Sequence, residues 1–386
     1  MPLRALVNKK LKAFEKPFVV HNNILVSRAA LLNNFDVYVR LAPGGLVIPV
    51  LKSNAYGHGL EEVAAVLKDR AMPYLAVDGY FEALRIRAVS RQPVLVMGAI
   101  ALENFARMTF GNFAFVVGDA LTIEALGQTG RRVKVHLEIE TGMMRYGVPM
   151  ADLEKILALL KQYPKIELEG VMSHLADADN PRDASYTTGQ TERFDQAVEQ
   201  VVAAGFSPKY LHLAQSAGGV KVRSKYANTL RVGIGMYGIL PLARDDPAFG
   251  ALRQLKPVLE LRSTITKVLE VKAGETVSYG CTFTAKRDGR IGVLPLGYYE
   301  GIPWALSNAG QVKYGSEHLP MVGRVCMNHT MIDLTDSAAA AGDVVAVISA
   351  DRSDPVALDA ICQRYNLFNY ECLVRLNQNI RRTVVA

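Results

Sequence analysis

The stretch Val47-Ile48-Pro49-Val50-Leu51-Lys52-Ser53-Asn54-Ala55-Tyr56-Gly57-His58-Gly59 decides the reading of this chain. An apolar run long enough for one buried strand delivers a single lysine into a small, polar, glycine-rich turn. A segment with helical spacing, Leu60–Leu67, follows. A lysine at the inner end of a buried strand is costly to keep charged and unpaired. Desolvation at such a place makes it a usable amine nucleophile. The plainer alternative is a side chain that snorkels past the strand end to water.

Apolar runs of similar length recur along the first two-thirds of the chain. Short apolar runs occur at Leu46–Leu51, Tyr74–Val77, Val94–Met97, Phe113–Val117, Val133–Ile139, Leu168–Met172, Tyr210–Leu213 and Thr229–Val232. Stretches of helical period separate most of them, clearest at Gly79–Arg91 and Met150–Gln162. Strands alternating with helices predict parallel βα units, and eight such units fit a (β/α)8 TIM-type barrel better than a doubly wound sheet.

After about Phe249 the texture changes. Short alternating segments take over at Val258–Leu269, Thr276–Thr284, Arg290–Pro295, Pro320–Val325, Thr330–Leu334 and Val344–Ile348. They predict a mainly antiparallel β domain, closed by a helix around Val356–Tyr365 and a last strand. The barrel is expected over residues 27–249 and the β domain over 250–386, with a strand near Asn23–Val26 joining the latter.

Composition narrows the function classes. Half of the 386 residues are hydrophobic, so large cores are possible. The formal charge of +7 comes from dispersed basic residues, with no basic stripe interleaved with aromatics of the kind that binds nucleic acid. No segment reaches the roughly 18 consecutive apolar residues of a membrane span. Met1–Lys16 has basic residues but no apolar core or cleavage site of a secretory leader. Cys281, Cys326, Cys362 and Cys372 lie far apart, in neither a metal pattern nor a disulfide framework. No metal is expected, and a reducing, cytoplasmic setting is.

In a parallel barrel, functional groups gather at the carboxyl ends of the strands. Lys52 ends the first run and Arg145 lies in the loop after the fifth. His174 follows the sixth, Ser216 the seventh, and Arg231, Gly233 and Ile234 end the eighth. The loops after strands seven and eight are a common phosphate site of such barrels. There Ser216 offers a hydroxyl, while Gly233 and Ile234 offer backbone N–H groups.

Lys52-Ser-Asn-Ala-Tyr-Gly-His-Gly59 closely resembles the cofactor-lysine motif of the alanine racemase family. The resemblance runs from about Asn23 to Arg382 and includes Ser278-Tyr279-Gly280-Cys281-Thr282-Phe283 and Gly323-Arg324-Val325-Cys326-Met327-Asn328. It implies a pyridoxal-phosphate fold-type-III amino-acid racemase. Lys52 would hold pyridoxal 5'-phosphate as a Schiff base, and Tyr56, Ser216, Gly233 and Ile234 its phosphate. His174 is counted with the cofactor residues. Arg231 would face the pyridine nitrogen, oriented by His212. Because a guanidinium cannot deliver its proton there, the ring stays a weak electron sink and reprotonation at Cα is favoured over transamination.

The resemblance further implies that Tyr279 is a second acid/base; an ordinary phenol needs a nearby cation to work at neutral pH. Arg145 and the Met327 N–H would receive the substrate carboxylate, with Tyr298 and Tyr370 narrowing the entrance. The family is known for head-to-tail dimers with composite sites, and such a homodimer is expected here. Three positions depart from the family pattern. Glu138 stands where a carbamylated lysine is common, Asn328 where an aspartate is, and Gln215 where an asparagine is.

The activity expected is interconversion of L- and D-alanine. A serine or broad-specificity racemase, separated by pocket size, stays open. A fold-type-III decarboxylase, which usually has an acidic pyridine partner, fits Arg231 less well. A non-catalytic pyridoxal-phosphate-binding protein, usually a lone barrel, leaves the β domain with Tyr279 unexplained. Substrate chemistry expected throughout is that of a small amino acid, with neither nucleic acid nor membrane as partner.

Overall fold

The chain is described from a computed structural model covering residues 18–386. The leader expectation at Met1–Lys16 therefore lies outside the described residues. The chain divides into two compact units: Val26–Leu259 with Val384–Ala386, and the residues up to Leu25 with Glu260–Thr383. Among the described residues, no helix is long and apolar enough to cross a membrane.

A short strand β1 (Asn22–Ser27) precedes the larger unit, in which parallel strands curl into a barrel. These are β2 (Leu46–Pro49), β3 (Leu75–Val77), β4 (Val94–Val96), β5 (Phe113–Val117), β6 (Val133–Glu140), β8 (Ile166–Met172), β9 (Tyr210–His212) and β10 (Thr229–Val232). A two-residue strand β7 (Val148–Pro149) adds to β6. Each of the eight apolar runs read from the sequence is a strand of the barrel. The ring closes because β10 pairs in parallel with β2, Arg231 opposite Ile48. Val50 bridges Ala76, and Arg231 N–H donates to the Ala214 carbonyl at 3.1 Å.

The interior holds Ile48, Val50, Tyr74, Ala76, Leu95, Ala114 and Tyr210 as one packed apolar cluster. Strand β6 shows why the rest of the interior is polar. Its sequence Val133-Lys-Val-His-Leu-Glu-Ile-Glu140 alternates, and a two-residue period sends Lys134, His136 and Glu138 to one side of the sheet. His136 and Glu138 are both buried.

The smaller unit carries β12 (Lys267–Val271), β13 (Thr276–Val277), β14 (Phe283–Thr284), β15 (Gly289–Leu294), β16 (Gln311–Tyr314), β17 (Glu317–Val322), β18 (Thr330–Asp333) and β19 (Val344–Ile348). β11 (Leu259–Thr264) leads into it and β20 (Arg381–Val385) closes the chain. The main sheet runs β12-β15-β18-β17-β16-β19-β11-β1-β20, so the N-terminal strand lies between the first and last strands of the C-terminal region. β13 and β14 form a separate two-stranded ribbon.

Three details differ from the sequence reading. The single run expected at Val258–Leu269 is two strands, broken at Ile265-Thr266, where the chain turns so that β11 pairs with β19 and β12 with β15. The run Thr276–Thr284 is interrupted by a one-turn helix, Tyr279–Cys281, with Ser278 and Gly280 at φ +70° and +72°. A second terminal helix, Asn369–Val374, follows the expected one at Leu358–Tyr365; at six residues it is too short to show helical periodicity.

One buried amide ties the barrel's first helix to its last turn. Asn34, fully buried on Arg28–Leu41, donates to the carbonyls of Met236 (3.0 Å) and Lys256 (2.8 Å) and accepts from Lys256 N–H (2.8 Å). Asn34→Ala would leave these backbone groups unsatisfied, a loss of about 2–3 kcal/mol. Thermal unfolding of the variant should show a clearly lowered midpoint; an unchanged midpoint would mean that water replaces the amide.

Candidate active site

At the end of β2 the backbone does something unusual. Val50 N–H donates to Val232 O at 2.8 Å and Leu51 N–H to Ala76 O at 2.7 Å, pinning the strand to both neighbours up to Lys52. Beyond Lys52 the chain winds left-handed through Ser53, Asn54, Ala55 and Tyr56, at φ +56°, +57°, +53° and +52°, before Gly57 at +84°. Left-handed winding costs an L-residue roughly 1–2 kcal/mol, so this turn must be held from outside.

Glu82 holds it. One carboxylate oxygen accepts from Ser53 N–H at 2.8 Å, while the other accepts from Asp78 and Gly79 N–H. Asn54 Oδ1 accepts from Leu60 N–H at 3.0 Å, fixing the start of the next helix. His58 stacks on Tyr237 at 4.4 Å, and Tyr237 donates to Val50 O at 2.9 Å. Glu82 escaped the sequence reading, although its place three residues after Gly79 at a helix start is a capping signal.

Because the barrel strands are parallel, the ends of β2, β6, β8, β9 and β10 lie at one end of the barrel. At its centre is Arg231, 2% exposed. Its guanidinium donates to the carbonyls of Ser173, His212 and Leu213 and to Nδ1 of both His212 (2.8 Å) and His174 (3.2 Å). Burial pulls its pKa down to about 10, with Glu138 opposing the shift; it remains a cation at neutral pH.

His212 in turn carries its proton on Nε2, because Nδ1 accepts from Arg231. Nε2 reaches His136 Nδ1 at 2.7 Å. His136 then directs Nε2–H towards Glu169, 3.7 Å away. Burial by itself would raise the Glu169 carboxyl, but the nearby His136 ring and hydrogen bonds from Lys134 and Tyr74 bring it down to about 2. A line of polar groups thus runs from Arg231 through the barrel interior to Lys134, whose side chain is half-exposed. Of this line only Arg231 and His212 were singled out from the sequence.

The expected phosphate set is also brought together. Ser216 Oγ accepts from Gly233 and Gly235 N–H, each at 3.2 Å. A Cβ added at Gly233 would lie 2.5 Å from Tyr56 Oη, so only glycine leaves room there. Ile234 opens the one-turn helix that follows. Gln215 Oε1 accepts from Gly218 N–H at 2.9 Å. Glu138 lies 3.9 Å from Arg145, whose side chain is partly exposed. Burial raises the Glu138 carboxyl above its ordinary range, while Arg231 and Arg145 pull it back.

The smaller unit holds the remaining residues. Tyr279 stands 71% exposed on its tight turn rather than in a strand. Ser278 donates to Arg324 O at 2.7 Å, and a Cβ at Gly280 would touch the Arg324 guanidinium at 2.9 Å, which places that cation beside the turn. Tyr298 N–H donates to Cys326 O and Tyr299 N–H to Met327 O. Tyr298 and Met327 are therefore neighbours, and both are exposed. Asn328 donates to Glu300 at 2.8 Å. Tyr370 stacks on Phe368 at 5.0 Å.

Residues 26–241 match the family description "Alanine racemase, N-terminal domain", and 258–384 match "Alanine racemase, C-terminal domain". The chain belongs to the alanine racemase family. An alanine racemase of Syntrophobacter fumaroxidans is 34% identical over 369 residues, covering 94% of this chain and 96% of that protein. An alanine racemase of Methanococcus maripaludis is 30% identical, covering 92% and 96%. Among solved structures, an alanine racemase of Bacillus anthracis with bound L-Ala-P superposes at TM-score 0.87 with 27% identity, covering 96% of each chain. Within this family, the fold read from the sequence, a barrel followed by a β domain, holds.

The buried imidazoles predict a pH response. Burial lowers His136 and His212, and burial with Arg231, Arg145 and Lys52 nearby takes His174 down to about 3. In the unfolded chain these groups titrate near 6.5. The unfolded state then binds more protons below that value, so their contribution to stability is full above about pH 6.5 and falls as pH drops through it. The urea midpoint should decline already between pH 6.5 and 5, before carboxylates titrate; a flat midpoint there would mean the histidines are protonated when folded.

Proposed function

We propose that the protein interconverts L- and D-alanine by two-base proton transfer at Cα, with pyridoxal 5'-phosphate as cofactor. The observation that carries the reading is the buried, protonated Arg231 at the barrel end shared by Lys52 and the Ser216–Gly233–Tyr56 cradle. The residues present fit the cofactor: a lysine for its aldehyde, a Cβ-free cradle for its phosphate, and a cation for its ring nitrogen.

Lys52 would bond the aldehyde, and Tyr56, Ser216, Gly233 and Ile234 would hold the phosphate, with His174 beside Arg231. When bound, the group supplies an electron sink that acidifies the Cα proton of an attached amino acid. Arg231 donates hydrogen bonds and keeps its own protons, held in place by His212. This limits charge delocalisation into the ring and favours return of a proton to Cα. Lys52 Nζ, freed as an amine when the substrate amine takes its place on the aldehyde, and Tyr279 Oη would work from opposite faces of Cα. Lys52 takes the proton of the D-isomer and Tyr279 that of the L-isomer, and the opposite group returns one, inverting the centre. Arg324 lies beside the Tyr279 turn.

Arg145 and the Met327 N–H receive the substrate carboxylate, and Tyr298 and Tyr370 narrow the way in. Glu138 supports Arg145, and Asn328 is held by Glu300. The small substrate and the family's dimers lead to a head-to-tail homodimer acting in the cytoplasm, Tyr279 of one chain completing the site around Lys52 of the other. The exposure of Tyr279, Tyr298 and Met327 supports a face that a partner covers.

Incubating the purified protein with L-alanine and, separately, L-serine in deuterated water tests the activity. Cα-proton loss with appearance of the D-isomer is expected for alanine. Production of an amine would mean decarboxylation, loss of neither proton nor carboxylate a binding protein, and faster turnover of serine the broader racemase. Borohydride should fix the cofactor to Lys52; a different modified lysine overturns the mechanism.

The composite site predicts complementation. Lys52→Ala and Tyr279→Phe, each inactive, should regain activity when their subunits exchange, because one site of each mixed dimer is then intact. Mixed dimers confirmed by mass spectrometry yet still inactive would place both bases in one chain.

Glu138→Gln should raise KM by roughly two- to fivefold with kcat nearly unchanged, since a half-exposed ion pair is worth under about 1 kcal/mol. Unaltered kinetics would reduce Glu138 to a strand-end carboxylate.

A further inference from the structure

The last two helices, Leu358–Tyr365 and Asn369–Val374, fold back on each other through a turn in which Asn366 is left-handed at φ +51°. Leu367 N–H donates to Cys362 O at 2.9 Å, closing the turn. The fold-back brings Cys362 Sγ to 3.8 Å from Cys372 Sγ, with the Cys362 thiol donating. Both are free thiols, Cys362 buried and Cys372 half-buried. A disulfide needs its sulfurs about 2.05 Å apart, so closing the gap takes under about 2 Å of movement.

The pair is asymmetric. The hydrogen bond from Cys362 lowers the Cys372 thiol, with Arg375 adding to this, while the same bond and burial push Cys362 up. The thiolate is the attacking species in thiol–disulfide exchange. Cys372 is therefore the group that meets an oxidant and Cys362 the one that resolves it. The same short helix carries Tyr370, two residues before Cys372, and its first N–H contact runs from Cys372 back to Phe368 O at 3.0 Å, the residue on which Tyr370 stacks.

We propose that Cys362 and Cys372 form a thiol–disulfide modification site that reacts with low-molecular-weight disulfides and, by drawing helix Asn369–Val374 towards its neighbour, moves Tyr370. The Cys372 thiolate attacks one sulfur of the small disulfide. A mixed disulfide forms and one small thiolate leaves. Cys362 gives up its proton to water and attacks the Cys372 sulfur, forming the Cys362–Cys372 bond and expelling the second small thiolate. The protein loses two electrons and two protons, and one small disulfide becomes two thiols. The effect on turnover rests on the reading of Tyr370 at the substrate entrance; the modification itself does not.

The test uses the holoenzyme with oxidised glutathione, followed by non-reducing peptide mapping and by kinetics with L-alanine. Wild type should give a Cys362–Cys372 link, a mass lower by two hydrogens, and a KM raised by roughly threefold or more, all reversed by dithiothreitol. Cys362→Ser should stop at a glutathione adduct on Cys372, and Cys372→Ser should leave position 362 unmodified. Absence of the link in wild type, or Cys372 staying unmodified in Cys362→Ser, overturns the site. A link with unchanged KM overturns the coupling when Tyr370→Ala in the reduced enzyme does shift KM. If Tyr370→Ala shifts nothing, the entrance reading of Tyr370 fails instead, and the peptide map alone decides the thiol site.

Discussion

A guanidinium cannot be buried without acceptors, and the mouth of this barrel is arranged to give Arg231 its acceptors. Three main-chain carbonyls and two imidazole nitrogens surround it. The carbonyls belong to Ser173, His212 and Leu213, at or just past the ends of β8 and β9, so they are in place only when those strands keep their register, Met172 opposite His212. The register of β10 on β2 then sets Arg231 level with Ile48, four residues before Lys52. Removing one of these strands would strand a buried charge, a penalty of several kcal/mol. The barrel's closure and the placement of the cation are one constraint seen from two sides.

The second constraint is stored in backbone. Four consecutive residues in left-handed geometry directly after Lys52 are held by Glu82 and Asn54, which accept their and their neighbours' N–H groups. In the smaller unit, Tyr279 sits among Ser278, Gly280 and Cys281, all at positive φ. Strain of this kind persists only where the surroundings over-determine it, and it collects at functional positions. Both bases of the proposed reaction are found beside such turns.

Most barrel strands were legible as short apolar runs separated by stretches of helical period, as expected of parallel strands buried on both faces. The ends of those strands carried Lys52, Arg145, His174, Ser216 and Arg231, which the parallel order gathers without any knowledge of side-chain contacts. What stayed hidden depends on direction. His136 looks like part of the solvated half of an alternating strand, yet that half faces the barrel interior, where Arg231 and His212 create a demand for polar partners. Glu169, Tyr74 and Lys134 join the line for the same reason. The turn at Tyr279 was hidden differently: Thr-Val-Ser-Tyr-Gly-Cys-Thr-Phe-Thr has strand composition, and only the positive φ of Ser278, Gly280 and Cys281 breaks it.

The three departures from the family pattern share a physical logic. Glu138 brings a carboxylate to the neighbourhood of Arg145 in the uncomplexed side chain itself, where a carbamylated lysine would acquire its charge by modification. Asn328 is neutral, but its amide is bound to Glu300, so an anion remains one contact away and is itself tied down by Gly297 N–H at 2.8 Å. Gln215 turns its amide oxygen to the N–H of Gly218 and so caps the short helix after the Ser216 loop. Each of the three side chains has a partner in reach: Arg145 for Glu138, Glu300 for Asn328 and Gly218 N–H for Gln215.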